Sequence, residues 1–453
     1  MNQSIRVTLL CLLLIVATVF VACGTDDEEL LPKATTATTE RTEATTAATT
    51  VPTVSVSDLQ PVVYPTEVHQ RLSRLDPPLT VNIDENTTVD LAYQGWPTIC
   101  KGEGSTLYAV SSVRLEHIDP FGAIAFYESH DNGLTWSDAK IAIDTPLDDR
   151  DAGVVYLGNG KILVSWFNND GQEYIDGKYS YWQNFSYLTD EQKEAYLAKF
   201  EKVPVVDRQK GSYVALSEDY GQTWGAPVRV PISSPHGPTL TKDGKTLIYF
   251  GTRNNPSAAG FSNLAEGREL YVIKSMDYGK TWHHMASIPM PQRHYVYCEP
   301  HMIQLDNGGY VGAIRVHTVD QEVDENRGMA VYITYSKDGR NWSTIKAITE
   351  DMRGGPPHLM QLKNGVVLLT YGYREDPCGV RYRLSYDSGV TWSDEGIICN
   401  AEDSRNADMG YPSTVELDDG TLITIYYQRY RNDSYCSVLY TRWRLEERQS
   451  DAT

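Results

Sequence analysis

Apolar and polar residues alternate along much of the chain in short runs that predict β-strands joined by tight turns. Six stretches repeat one pattern, in which a short strand, a turn containing Gly and an apolar strand follow one another. Two examples are DAGVVYLGNGKILVSWF, which starts at Asp151, and GYPSTVELDDGTLITIYYQ, which starts at Gly410. Gly-containing turns between alternating apolar runs are typical of β-hairpins. We therefore expect six hairpins along the chain.

A second repeat lies between the hairpins. Four turns of the form Ser-x-Asp-x-Gly-x-Thr-Trp and a shortened fifth begin at Ser129, Ser217, Ser275, Ser385 and Ser336. A strand leads into each turn and another follows it, which gives four strands per unit. Six such units predict an all-β fold, a six-bladed β-propeller of four-stranded antiparallel blades. We expect the segment near Val62 and Val63 to complete the last blade.

The Ser-x-Asp turns are interpreted as structural. Asp and Ser side chains hydrogen-bond the backbone of such a turn, Gly supplies a positive φ, and Trp buries a large area. We expect these turns to link the third and fourth strands of a blade, away from the propeller axis, with Trp packed on the neighbouring blade.

The N-terminal part is expected to lie outside the fold. Residues 1–23 have Arg6, an apolar run and Ala22 before Cys23, which resembles a bacterial lipoprotein signal with Cys23 as the lipidated residue. Phe20 departs from the usual leucine, so ordinary secretion stays open. Residues 24–60 are rich in Thr and Ala and predict a flexible linker. The propeller is expected over residues 61–448, on an exported and cell-surface or secreted protein.

An insertion interrupts the second blade at residues 168–209. Thr189 and Gln192 form a capping box before EAYLAKF, which predicts a short helix. The aromatic residues at 179–187 have two interpretations, since they could line a sugar site or pack the insertion onto the propeller.

The composition limits the classes of molecule that the protein is expected to bind. The chain has 453 residues and a formal net charge of −20, which argues against binding to nucleic acid or to anionic membrane surfaces. A local cluster of arginines could still bind an acidic small molecule. The 30 tyrosines and nine tryptophans suit both a β-rich protein and a sugar-binding one. Five cysteines follow the signal without metal-ligand spacing, and an odd number leaves at least one free thiol.

The topology suggests where chemistry could lie. Residues at the ends of the inner hairpins meet at one face of a propeller, although they are far apart in sequence. Several ionisable residues occupy such places: Arg114, Asp119, Glu299, Arg315, Arg374, Arg381 and Tyr411. They form either a ligand site or a structural ring of ion pairs around the channel.

These motifs together resemble the sialidase (neuraminidase) superfamily, in which the Ser-x-Asp turns are called Asp boxes. The resemblance implies a retaining exo-glycosidase that hydrolyses terminal sialic acid or a related acidic sugar. It implies that Asp119 is the acid/base, Glu299 the base that activates a nucleophile, and Tyr411 that nucleophile. Substrate binding would fall to Arg114, Arg315 and either Arg381 or Arg374. No metal or other cofactor is implied, and the expected partner is a glycan.

One motif departs from this family. Sialidases have Arg-Ile-Pro where this chain has Gly95-Trp96-Pro97, so the first of three arginines that bind the substrate carboxylate is absent. We expect Gly95 to leave a gap there and Trp96 to offer a face for stacking on a sugar ring. Two alternatives follow, a sialidase-like hydrolase for a different sugar and a non-catalytic carbohydrate-binding propeller. His236, His301 and His358 begin inner hairpins, where they either contact ligand hydroxyls or are structural.

Overall fold

The alternating runs form antiparallel strands that pair in the order in which they follow along the chain. The structure is a computed structural model that describes residues 59–63, 70–72, 79–82, 88–117, 122–169, 189–204, 211–253, 269–318, 329–348, 353–402, 406–431, 433 and 435–447. Before the first blade lie β1 (Leu59–Val63), β2 (Gln70–Arg71), β3 (Leu79–Asn82) and β4 (Thr88–Leu91). Strands β3 and β4 form a hairpin of their own.

Six sheets of four principal strands follow one another. Blade 1 contains β5 (Tyr93–Lys101), β6 (Leu107–Arg114), β7 (Ala123–Ser129) and β8 (Lys140–Ile143). Blade 2 contains β9 (Asp148–Gly158), β10 (Lys161–Asn169), β11 (Gly211–Ser217) and β12 (Val228–Val230). Blade 3 contains β13 (Ile232–Ser233), β14 (Thr239–Leu240), β15 (Leu247–Arg253), β16 (Glu269–Ser275) and β17 (His283–Pro289).

The remaining blades have the same order. Blade 4 contains β18 (Tyr295–Gln304), β19 (Tyr310–Thr318), β20 (Ala330–Ser336) and β21 (Lys346–Ala347). Blade 5 contains β22 (Pro357–Gln361), β23 (Val367–Tyr373), β24 (Gly379–Ser385) and β25 (Gly396–Asn400). Blade 6 contains β26 (Gly410–Glu416), β27 (Leu422–Arg429) and β28 (Cys436–Glu447), and β1 pairs with β28 as its outer strand. Val62 and Val63 lie opposite Arg444 and Trp443, so the predicted closure of the last blade is confirmed.

Packing between neighbouring blades forms the core. Strand β6 is buried along its whole length, because its two faces are covered by adjacent blades. One apolar cluster joins Leu107 and Tyr127 of blade 1 to Ile425 and Val438 of blade 6. Each fully buried side chain of this size contributes about 1.5–3 kcal/mol. The six-bladed all-β fold predicted from the repeats is confirmed.

The Ser-x-Asp turns lie where the repeats predict, between the third and fourth strands. In the first of them, the carboxylate of Asp131 accepts hydrogen bonds from the Ser129 hydroxyl (2.8 Å), from the Thr135 N–H (2.9 Å) and from the Thr135 hydroxyl (2.6 Å). The Trp342 ring of the fourth turn stacks on Phe250 of the preceding blade. The turns are structural, since their carboxylates are used within the turn.

The insertion in blade 2 follows β10 and precedes β11. Its helix α1 spans Asp190–Glu201. The Gln192 N–H donates to Thr189 Oγ1 (3.2 Å), and the Thr189 N–H donates to Gln192 Oε1 (3.0 Å), which confirms the capping box. Residues 179–187 lie outside the described residues, so their role stays a prediction.

The five cysteines that follow the signal are free thiols: Cys100, Cys298, Cys378, Cys399 and Cys436. No helix in the described ranges is long and apolar enough to cross a membrane. The signal peptide with Cys23 falls outside these ranges and stays a prediction.

Candidate active site

The inner strands of the six blades contact one another in a closed ring, β5, β9, β14, β18, β22, β26 and back to β5. In four of these strands the pairing shifts register within the strand. A residue with a left-handed backbone lies at each shift, namely Trp96 (φ 51°), Asp151 (φ 54°), Glu299 (φ 48°) and Tyr411 (φ 51°). Such backbone costs a residue other than glycine about 1–3 kcal/mol, and bulges redirect side chains. Four such residues around one ring mark a candidate site.

Tyr411 and Glu299 meet at this site. The Tyr411 hydroxyl donates a hydrogen bond to Glu299 Oε1 at 2.5 Å. The other oxygen of Glu299, Oε2, lies 2.7 Å from Nη1 of Arg315 in an ion pair. The three side chains therefore form one hydrogen-bonded chain that joins blades 4 and 6.

Electrostatic interactions shift the pKa values of Glu299 and Tyr411 in opposite directions. Burial alone would raise the pKa of Glu299, but the guanidinium of Arg315 and the hydrogen bond from Tyr411 outweigh it, so the pKa is lowered. Burial raises the pKa of Tyr411 well above its usual value, and the charges of Glu299 and Asp151 raise it further. At neutral pH the site holds a carboxylate beside a protonated phenol, which is the ground state of a nucleophile with its base.

A second arginine lies at Tyr411. The guanidinium carbon of Arg374 is 5.8 Å from the centre of the Tyr411 ring, and its Nε donates to the Met409 carbonyl oxygen at 3.0 Å. Arg374 and Arg315 are both partly exposed. Arg374 beside Tyr411 and Arg315 beside Glu299 thus place two guanidinium groups at the site, and guanidinium groups suit two-point binding of a carboxylate.

Arg381, which was predicted to bind substrate, is not brought to this site by the structure. Its side chain is 3% exposed and donates to the carbonyl oxygens of Pro377 (2.8 Å) and Cys399 (3.0 Å). Arg381 lies on β24, the third strand of blade 5, where it ties that strand to the loop before it. The alternative, Arg374, is the arginine that reaches the site.

Arg114 and Trp96 also differ from their predicted roles as substrate contacts. The Arg114 side chain is fully buried, lies 2.8 Å from Asp148 Oδ1, and donates to the Asp149 carbonyl oxygen. Trp96 is 2% exposed, and the guanidinium carbons of Arg114 and Arg150 lie 4.8 and 4.6 Å from the centre of its ring. Neighbouring side chains cover both residues, so neither is open to a sugar.

The expected gap at Gly95 is filled. A Cβ atom at this position would lie 3.0 Å from the Tyr93 ring and 3.8 Å from the Tyr427 ring. The hydroxyl groups of Tyr93 and Tyr427 donate to Asp408 Oδ1 at 2.9 and 3.2 Å. A buried cluster of tyrosines with one carboxylate therefore occupies the space where the family would have its first arginine.

Residues 183–425 match the BNR repeat-like domain family. The chain belongs to this family. No curated protein sequence matches it. The predicted resemblance to the sialidase superfamily is confirmed for family and fold.

Solved structures with similar folds come from several organisms. A protein of unknown function from Dyadobacter fermentans is 16% identical with a TM-score of 0.60, and the match covers 87% of this chain and 100% of that one. The intramolecular trans-sialidase from Ruminococcus gnavus is 13% identical with a TM-score of 0.53, over 78% and 95% of the two chains. An α-L-arabinofuranosidase from Fusarium graminearum is 14% identical with a TM-score of 0.53, over 85% and 98%. At these identities the similarity shows the propeller fold.

Sequence reasoning missed one acidic residue of this BNR repeat-like protein. Asp151 occupies in blade 2 the bulge position that Glu299 and Tyr411 occupy in blades 4 and 6. A signal was present, because Asp151 heads its hairpin in the sequence repeat just as Glu299 and Tyr411 head theirs. The predicted acid/base, Asp119, lies outside the described residues, so its role stays a prediction.

The three channel histidines of this BNR repeat-like protein contact one another. The ring centres of His301 and His358 are 4.5 Å apart, and His236 lies 5.5 and 5.1 Å from them. The Leu359 N–H donates to His301 Nδ1 at 2.9 Å, and burial lowers the pKa of His301 to about 3. These contacts favour the structural interpretation of the three rings. In the part of the chain that the structure describes, no three His, Cys, Asp or Glu side chains are placed to hold a metal ion.

Proposed function

We propose that this protein is a retaining exo-glycosidase of sialidase type that acts on sialic acid or a related acidic sugar. The observation that supports this most directly is the Tyr411–Glu299–Arg315 chain, with hydrogen bonds of 2.5 and 2.7 Å. A buried tyrosine on an ionised glutamate is suited to nucleophilic attack, because the glutamate can take its proton.

The arginines support an acidic substrate. Arg374 lies beside Tyr411 and Arg315 beside Glu299 in a protein whose net charge is −20. A substrate carboxylate held there would repel a carboxylate nucleophile at the reacting carbon, and a neutral phenol avoids that repulsion. Tyrosine nucleophiles of this kind are the sialidase exception to the two-carboxylate pattern of glycosidases.

In the mechanism that we propose, Tyr411 Oη attacks the anomeric carbon while Glu299 takes its proton and the leaving oxygen is protonated by a carboxylic acid. The carboxylate formed from that acid then takes a proton from water, whose oxygen attacks the anomeric carbon of the glycosyl-tyrosine, and Glu299 returns its proton to Tyr411 as that bond breaks. Two displacements give net retention. The family resemblance predicts Asp119 for the acid.

The filled position at Gly95 favours a substrate other than an ordinary sialoside. Losing one charge-assisted partner of a carboxylate removes about 1.5–3 kcal/mol of binding. The Tyr93 and Tyr427 rings beside Gly95 offer no replacement charge. A sugar whose carboxylate lies elsewhere, or a different acidic sugar, would suit a site with two arginines better than a site with three.

We further propose that the protein is exported and anchored to the membrane through a lipid on Cys23, with the Thr- and Ala-rich segment before β1 as its tether; the predicted linker of residues 24–60 is shortened by Leu59 and Gln60, which pair with β28. An apolar run that ends in Ala22–Cys23 supports this proposal. Labelling with a radioactive fatty acid, in the wild type and in Cys23→Ser, tests it. The proposal requires label in the wild type alone.

The activity is tested with a panel of fluorogenic α-glycosides of sialic acid, other nonulosonic acids and uronic acids, with neutral sugars beside them. Wild type and Tyr411→Phe are assayed together. The proposal predicts turnover of one acidic class by the wild type and a loss of at least about 1,000-fold in the variant. Binding of acidic glycans without turnover of any member would instead favour the carbohydrate-binding propeller.

A further inference from the structure

His117 lies at the edge of the candidate active site, in the segment that follows β6 and two residues before Asp119. The rings of His117 and Tyr411 both stand nearly perpendicular to the indole of Trp96, with their centres 5.1 and 6.3 Å from its centre. The His117 side chain is 44% exposed, whereas Trp96 is buried. His117 therefore lies close to the proposed nucleophile and is open to a ligand.

Asp408 fixes the orientation of the His117 ring. Nδ1 of His117 lies 2.8 Å from Asp408 Oδ1, and the Tyr93 hydroxyl donates to the same oxygen at 2.9 Å. Burial alone would raise the pKa of Asp408, but the hydrogen bonds from His117 and Tyr93 outweigh it, so the pKa is lowered. Asp408 is therefore a carboxylate at neutral pH, and a carboxylate only accepts hydrogen bonds. Nδ1 of His117 must carry a hydrogen and donate it to Asp408.

The other ring nitrogen of His117, Nε2, makes no hydrogen bond to any of the described residues. In the neutral ring Nε2 is an acceptor, and in the protonated ring it is a donor. A hydroxyl group suits both forms, because it can donate one hydrogen bond and accept others. A carboxylate suits this place poorly, because it has no hydrogen to donate to the neutral ring and would meet the negative charge of Asp408.

We propose that His117 is a specificity-determining residue whose Nε2 binds a hydroxyl group of the substrate sugar. This inference rests on the glycosidase function proposed above and extends it. The carboxylate of the acidic sugar is bound at Arg374 and Arg315, and the hydroxyl at His117. Blades 4 and 1, which carry Arg315 and His117, stand opposite each other in the ring of six, so the two contacts hold the anomeric carbon at Tyr411 from two sides. Asp408 acts through His117 and is a positioning residue.

The hydrogen bonds that hold His117 depend on the glycine at position 95. A Cβ atom on Gly95 would lie 3.0 Å from the Tyr93 ring, and an arginine side chain would extend further into the same space. Glycine at this position therefore removes one partner of a substrate carboxylate and also makes room for the Tyr93 hydroxyl to reach Asp408. A hydroxyl site at His117, in place of a carboxylate contact, agrees with both consequences.

The test uses two variants that separate the roles of the two ring nitrogens of His117. In His117→Asn the amide reaches about as far as Nδ1 and can donate to Asp408, but no group remains at the place of Nε2. In His117→Gln the amide reaches about as far as Nε2, and the donor to Asp408 is lost. The control is His130→Asn in the Ser-x-Asp turn of the same blade, where the histidine side chain is 68% exposed. Thermal unfolding of each variant shows that it is folded before kinetics are compared.

Each protein is assayed on the fluorogenic glycoside that the panel identifies and on its monodeoxy analogues. For the wild type, we expect one analogue to have a kcat/KM about ten-fold lower than the parent glycoside, because it lacks the hydroxyl that binds His117. His117→Asn should lose a similar factor on the parent glycoside and no more on that analogue, since both changes remove the same hydrogen bond. His117→Gln should keep most of the wild-type preference among the analogues, and His130→Asn all of it.

The same set separates two kinds of failure. If His117→Gln loses more activity than His117→Asn, the ring anchors the chain through Asp408 and the assignment of Nε2 is wrong. If His117→Asn discriminates among the deoxy analogues as the wild type does, Nε2 binds no hydroxyl of the sugar. Both results leave the glycosidase function standing. If the wild type turns over no member of the panel, or if Tyr411→Phe hydrolyses the parent glycoside at the wild-type rate, the proposed function itself is wrong.

Discussion

The Tyr411 hydroxyl lies 2.5 Å from Glu299 Oε1, although 112 residues separate the two in sequence. They lie on the inner strands of blades 6 and 4, so no local turn or shared hairpin brings them together. Both also have a left-handed backbone that costs free energy in the folded state. A contact made at such a cost between distant elements indicates that the protein uses this pair.

Glu299→Gln tests the base. Glutamine keeps an oxygen that can accept from Tyr411, but it cannot take the proton and leaves Arg315 without its counter-charge. We expect kcat to fall by at least about 100-fold while the free energy of unfolding changes modestly. Because the pKa of Glu299 is lowered from its usual value of 4.5, the acid limb of the wild-type pH–kcat/KM profile should lie below pH 4.5. An acid limb well above that pH would contradict this assignment.

Arg374→Ala and Arg381→Ala form a matched pair in blade 5. Loss of Arg374 should raise KM for acidic substrates by about ten-fold or more, with little change in thermal stability. Loss of Arg381 leaves the carbonyl oxygens of Pro377 and Cys399 without its donors and should cost about 1–3 kcal/mol of unfolding free energy, with KM nearly unchanged. Kinetics and chemical denaturation distinguish the two variants. The opposite pattern would assign binding of the substrate carboxylate to Arg381.

Asp277→Ala tests the structural role of the Ser-x-Asp turns. Its carboxylate accepts from the Ser275 hydroxyl (2.8 Å), the Thr281 N–H (2.9 Å) and the Thr281 hydroxyl (2.6 Å). We expect a loss of about 1–3 kcal/mol in unfolding free energy and unchanged kcat. The control Asp306→Ala removes an exposed ion pair with Lys242 and should cost less than about 1 kcal/mol. A large fall in kcat for an Asp277→Ala protein that keeps its stability would show that the turn contributes to catalysis.

The channel histidines predict a loss of stability in acid. Burial lowers the pKa of His236, His301 and His358. Below about pH 6.5 the unfolded chain therefore binds more protons at these residues than the folded protein does. Their contribution to the free energy of unfolding is fully present above the histidine pKa of the unfolded chain, about 6.5, and declines as the pH falls below that value. Unfolding free energy measured from pH 7.5 to pH 5 should fall, and His301→Gln should have a shallower slope by up to about one proton. An unchanged slope in His301→Gln would mean that this ring does not contribute.

The sequence predicts the structural features that repeat along the chain, such as the blades and their turns. It predicts fewer of the features that depend on packing between blades. Alternating apolar runs and the turn at Asp131 define the blades, because local pairing determines them. Tyr411 and Glu299 could be found because they head hairpins. Arg381 and Arg374 lie too close in sequence for spacing to show that one is on the third strand of its blade and the other follows the second. The burial of Trp96 depends partly on Arg150 of blade 2 and on the Tyr411 and Tyr427 rings of blade 6, which no local pattern reveals.

Trapping the covalent intermediate is the most direct test of the central claim, that Tyr411 is the nucleophile of a retaining glycosidase. The protein is incubated with fluorinated glycosyl fluorides of the acidic sugar that the panel identifies, and intact mass and peptide mass spectrometry follow. The account predicts one added glycosyl group per chain, located on Tyr411 and absent from Tyr411→Phe. A glycosyl group on the Glu299 carboxylate, or full turnover of the sugar by Tyr411→Phe, would contradict it.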